Sequence, residues 1–70
     1  MIQTGDKFLG INEDDEIVEY AVLGAGYRGV LYSIKKTTHW GNGGSCFTYI
    51  HIVKDKLESY FKDCIKTVKI

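Results

Sequence analysis

The segment Val22-Leu23-Gly24-Ala25-Gly26-Tyr27-Arg28-Gly29 has the spacing G-x-G-x-x-G after an apolar run. In a dinucleotide-binding unit, such glycines allow a tight turn and let the pyrophosphate approach a helix N-terminus. That chemistry makes demands the rest of the chain does not meet. A helix should follow, yet Val30 to Ile34 is β-branched and aromatic. An acidic residue about 20 positions on should hold the ribose, yet Gly26 to Lys54 contains no acid. Too few residues follow Gly29 for the remaining βαβ units. The segment therefore reads as a glycine-rich connection or bulge between strands. An anion contact on the amide-rich turn beside Arg28 is what remains of the nucleotide reading.

Other residue types invite other chemistry. His39, Cys46, His51 and Cys64 are possible metal ligands, but they lack the close C-x₂₋₄-C pairing usual for zinc. No metal and no cofactor are expected. Cys46 with His39 or His51 could form a thiolate–imidazole pair, but the sequence supplies no oxyanion site to go with it. Cys64 lies on an apolar stripe and reads as core. No catalytic residue is assigned, and the chain is not read as an enzyme. Glu13, Asp14, Asp15 and Glu16 are consecutive, without the alternation of a calcium loop. They read as a solvated turn, or as a carboxylate cluster that meets a basic protein surface.

Charge is uneven. The 70 residues sum to zero, but residues 1–25 carry net −5 and residues 26–70 net +5. A neutral total thus hides two opposed patches. Hairpin 26–54 interleaves Arg28, Tyr32, Lys35, Lys36, Trp40 and Tyr49. This pattern suits bases stacking on aromatics while cations follow phosphates, so nucleic-acid or nucleotide binding is the alternative to a protein partner. Zero net charge weakens it, because such affinity rests on phosphate neutralisation.

These residues need elements to hold them. One small domain over 1–70 is expected, with a core too thin for a deep cleft. Lys7 to Ile11 reads as a strand, Asn12 to Asp15 as a turn and Glu16 to Leu23 as a second strand. Val18, Tyr20 and Val22 then share one face, and Ile17, Glu19, Ala21 and Leu23 the other. A helix capped by Asn12 competes for 12–23, and the strand is preferred because Val, Ile and Tyr are stiff in helices. Residues 29–53 read as a β-hairpin around Gly41-Asn42-Gly43-Gly44. Leu57, Tyr60, Phe61, Cys64 and Ile65 follow helical spacing, and Asp55 with Glu58 has capping-box spacing. This predicts a helix at about 55–66, with Thr67 to Ile70 as a further short strand.

The expected fold class is therefore α+β: a small antiparallel meander, or a partial barrel of about four strands, with one C-terminal helix. Thr4-Gly5-Asp6-Lys7-Phe8 leading to Glu16-Ile17-Val18-Glu19-Tyr20-Ala21-Val22 resembles the first hairpin of small SH3-like barrel proteins of phages and mobile elements. The resemblance implies a barrel-like fold and a host-directed or counter-defence inhibitor. It assigns no residue a role.

The reading that joins these observations is a non-catalytic protein-binding module. Its contact residues would be His39, Trp40 and Asn42 at the hairpin tip, the Glu13–Glu16 turn, and Tyr27 with Arg28. An uncovered strand edge would also permit a homodimer. The chain shows no signal-peptide order at its start and no run of ~20 apolar residues, so no membrane association is expected. Two cysteines are few for a secreted framework, which points to the cytoplasm. Whether Cys46 and Cys64 are bridged is left open.

Overall fold

A computed structural model describes residues 2–26 and 28–67. Five strands form one antiparallel sheet: β1 (Lys7–Ile11), β2 (Ile17–Gly26), β3 (Leu31–His39), β4 (Ser45–Val53) and β5 (Ile65–Thr67). Between β4 and β5 lie a 3-10 turn (Lys54–Lys56) and a one-turn helix, α1 (Leu57–Tyr60). The spatial order is β4-β3-β2-β1-β5.

Alternation along the strands fixes the faces. Val22 pairs with Ile34, and Ile34 with Ile50. With Phe8 these residues meet Leu57 and Phe61, which closes a small core. Ile34 is fully buried, and Val18, Val22 and Leu57 nearly so. Phe61 stacks on Phe8 at 4.3 Å between ring centroids, and Tyr20 meets Phe61 edge-on at 5.2 Å. Burial beside Tyr60 pushes the Tyr20 hydroxyl up to about 12.

The strand reading of 12–23 holds over the helix: a turn follows Asn12, β2 runs from Ile17 to Gly26, and its two faces are those expected. The hairpin over 29–53 also forms. The G-x-G-x-x-G segment is a strand end and turn: Gly24 and Gly26 lie in β2, the register slips between Val22 and Gly24, and Gly29 turns at φ +83°. Strand β3 follows, where nucleotide binding would need a helix.

Two expectations are corrected. The sheet has five strands and does not close into a barrel. Strand β5 takes the free edge of β1, and among the described residues β4 pairs with β3 alone. The helix expected at about 55–66 is one α-turn preceded by a 3-10 turn, and neither start has a side-chain cap hydrogen bond. The apolar stripe marked the correct face: Leu57, Phe61 and Cys64 pack toward the sheet. Ile65 instead pairs with Leu9, because a ladder along β1 satisfies backbone groups that a longer helix would leave open. Strand β5 begins two residues before the strand expected from Thr67 to Ile70 and overlaps it at Thr67, and the remainder lies outside the described residues.

The β5 seam carries a pH-sensitive tie. Asp6 Oδ2 accepts a hydrogen bond from the Gln3 N–H at 2.8 Å and pairs with Lys66 Nζ at 3.2 Å. The backbone hydrogen bond, aided by Lys66, holds the Asp6 carboxyl below its ordinary 3.8. A depressed carboxylate stabilises the fold above its unfolded value, and that contribution is lost as pH falls through the folded value. Asp6→Asn should therefore flatten the loss of stability below about pH 4. The effect should be at most about 1 kcal/mol, since the pair is partly exposed. Urea melts at two pH values measure it.

Candidate protein-docking surface

Two turns at one end of the sheet are built alike. In the first, the Asn12 N–H donates to Glu16 O at 3.0 Å and the Asp15 N–H donates to Asn12 O at 3.1 Å. In the second, the Trp40 N–H donates to Gly44 O at 2.7 Å and the Gly43 N–H donates to Trp40 O at 3.1 Å. Both are three-residue loops whose last residue is left-handed: Asp15 at φ 60° and Gly43 at φ 90°. Asparagine side chains brace both. Asn12 Oδ1 accepts from the Asp14 and Glu16 N–H groups, each at 2.9 Å, and Asn12 Nδ2 donates to Glu16 Oε1 at 3.0 Å. Asn42 Oδ1 accepts from the Gly44 N–H at 2.9 Å.

The bracing decides which acids are available. Glu16 is tied back to Asn12, while Glu13, Asp14 and Asp15 are exposed. Asp15 holds a conformation that glycine adopts more readily. Asp15→Gly should therefore raise stability by up to about 1 kcal/mol while removing a carboxylate from the surface. Thermal melts will show the gain.

Strand pairing brings the turns together. Ile17 sits opposite His39, which places the acidic turn beside the Trp40 loop. A groove of about 380 Å³ runs between them, lined by Asp14, Asp15, Glu16, Ile17, His39, Trp40 and Gly41. His39 Nε2 hydrogen-bonds Glu19 Oε1, which fixes the ring across β2 and β3. Trp40 is 44% exposed, and a Cβ on Gly44 would meet its Cε3 at 2.9 Å. The indole therefore rests on glycine backbone, and Gly44→Ala should displace it.

A second cavity of about 360 Å³ adjoins the first, lined by Leu9, Gly10, Ile11, Ile17, Asp63 and Ile65. Ile11 and Ile65 are each 72% exposed. Leu9, Ile11, Ile17 and Ile65 alternate with the core residues and so lie on the sheet face opposite the core. Ile17 lines both cavities and joins the apolar patch to the acidic turn.

Of the residues singled out from sequence, Asp14, Asp15, Glu16, His39 and Trp40 meet in one groove. Glu13 and Asn42 are exposed on the same two turns. Arg28 does not join them. It lies in the β2–β3 turn, at the other end of a ten-residue strand, roughly 30 Å away at the usual rise. Tyr27 lies outside the described residues. The patch of Leu9, Ile11, Ile17 and Ile65 was not singled out from sequence. Its signal was the pair Ile11 and Ile17 flanking the turn, on the face without Val18 and Tyr20.

The residues of the nucleic-acid alternative are dispersed. Tyr32 packs against the core, and Lys36 pairs with Tyr20 on that same face. Lys35 and Tyr49 pair on the opposite face, with Lys35 Nζ 4.6 Å above the Phe47 ring. Arg28 and Trp40 occupy opposite ends of the sheet. The six do not form one continuous track.

Cys46 and Cys64 are free thiols, Cys46 exposed and Cys64 partly buried. Burial pushes the Cys64 thiol up, and its Sγ would lie 3.1 Å from a Cβ on Gly10. No group of His, Cys, Asp and Glu able to hold a metal occurs among the described residues. No helix among them is long and apolar enough to cross a membrane. No protein-family model, curated protein or solved structure matches this chain.

Proposed function

We propose that this chain is a non-catalytic protein-binding module that docks through the end of the sheet around Ile17. The observation that carries this reading is the position of Ile17. On one side it continues an apolar patch of Leu9, Ile11 and Ile65, and on the other it meets Asp14, Asp15 and Trp40. An apolar centre beside an indole, rimmed by charge, is the anatomy of a protein interface. The rim here is acidic, so the partner presents apolar side chains flanked by Lys or Arg. Trp40 offers a face on which such a cation can stack. The resemblance of the first hairpin to phage barrel proteins suggests that the partner is a host or defence protein. A nucleic-acid-handling enzyme, with its basic surface, fits that chemistry.

The test is quantitative affinity capture with nuclease-treated lysate. Glu13→Lys with Asp15→Lys should release the captured protein, and moderate salt should weaken its retention. Arg28→Ala and Lys35→Ala should leave it in place. Capture that survives the acidic reversal but fails with Arg28→Ala or Lys35→Ala would move the site to the basic hairpin.

A further inference from the structure

The two edges of the sheet differ. At one edge β5 spans three described residues and carries Lys66, a charge that discourages pairing. At the other, β4 runs nine residues, Ser45-Cys46-Phe47-Thr48-Tyr49-Ile50-His51-Ile52-Val53, with no Asp, Glu, Lys, Arg or Pro. Its pairing with β3 is unbroken from Leu31–Val53 to His39–Ser45, so no bulge turns it away. No strand among the described residues covers it.

The hydrogen-bond phase of that edge can be deduced. The ladder between β3 and β4 is bracketed by Trp40 N–H to Gly44 O and Lys54 N–H to Val30 O. Both bonds fall on even-numbered residues of the second chain segment. Antiparallel ladders alternate, so Cys46, Thr48, Ile50 and Ile52 point their backbone groups at β3. Ser45, Phe47, Tyr49, His51 and Val53 then point theirs outward.

We infer that β4 pairs antiparallel with β4 of a second copy of this chain, on a two-fold axis through Tyr49. In that register Tyr49 faces the second copy's Tyr49, Phe47 faces its His51, and Ser45 faces its Val53. Every outward N–H and C=O then finds a partner, giving about ten hydrogen bonds, as many as a standard interface carries. Thr48 meets Ile50 and Cys46 meets Ile52, so the apolar lining of the helix side continues across the seam. No like charges oppose. The guarded β5 edge ends the sheet on both sides, so pairing closes at two chains. The two Trp40 loops then lie at opposite ends of the seam and present two docking surfaces. This pairing stands apart from the docking reading, because it uses neither Ile17 nor the acidic turn.

The test is sedimentation equilibrium of the full chain with two kinds of variant. The wild type should sediment at twice its 7.9 kDa. Tyr49→Lys sets two ammonium groups opposite one another and should halve that mass. Tyr49 is 54% exposed, so the variant should keep the wild-type circular dichroism. In a Cys46→Ser background, Tyr49→Cys should form a disulfide dimer, since facing α-carbons sit about 5.5 Å apart. Ser45→Cys should not, because its symmetry mate is eight residues along the strand. A wild-type mass of one chain would overturn the inference, as would a ladder of larger species. So would a dimer that persists in Tyr49→Lys while Tyr49→Cys fails to cross-link.

Discussion

Phe61→Ala should leave most molecules unfolded at room temperature. Phe61 is 4% exposed and follows the only helical turn that covers the sheet among the described residues. It stacks on Phe8 at 4.3 Å and meets Tyr20 and Tyr60 edge-on at 5.2 and 5.0 Å. Truncating a buried phenylalanine costs about 3–5 kcal/mol. A domain of this size has about 3–5 kcal/mol in total, so the loss consumes the whole margin. Ile11→Ala removes a comparable side chain from an exposed site and should shift stability by only about 0.5 kcal/mol. Circular dichroism melts of the two variants make the comparison. A Phe61→Ala melt as cooperative and nearly as high as the wild type would mean that the core lies elsewhere.

The second large effect is on binding. Ile17→Asp should weaken partner capture by about 30-fold or more, the range of an interface hot spot. The side chain is 52% exposed and lines both cavities. A carboxylate there would break the apolar centre and add to the acidic rim. The substitution also costs β-propensity, on the order of 1 kcal/mol, so Ile17→Val serves as the companion that keeps shape and strand preference. Titration of the purified partner should place Ile17→Val near the wild type and Ile17→Asp far below. Equal weakening of both would assign the effect to the strand rather than the surface.

The contrast between Phe61 and Ile17 shows what the sequence makes legible. Alternation identified Val18, Tyr20 and Val22 as the inner face of β2, because a pleated strand has no other way to bury them. Glycine and asparagine marked the hairpin loop, because few other residues take the left-handed geometry of Gly43. The helix was overextended for a physical reason. The spacing of Leu57, Phe61 and Cys64 reports which side faces the core, but not the path between them. Competition from the free edge of β1 drew Ile65 into a strand, and that competition is non-local.

The same non-local choice hid part of the surface. Recruiting Ile65 beside Leu9 adds it to Ile11 and Ile17 on the face opposite the core, which a single sheet with a one-turn helix on its other side leaves uncovered. The acidic turn and the Trp40 loop were both visible as loops. Their adjacency follows from the pairing of Ile17 with His39, which sequence spacing alone does not reveal. Arg28, expected as part of a second contact beside a glycine turn, is separated from them by the length of β2.

The most direct measurement is site-specific photocrosslinking in lysate, with a benzophenone amino acid placed at Trp40 in one protein and at Arg28 in another. Docking at the Ile17 end predicts a discrete protein adduct from position 40, lost with Ile17→Asp and absent from position 28. An adduct from position 28 alone, or nuclease-sensitive adducts from both positions, would contradict it.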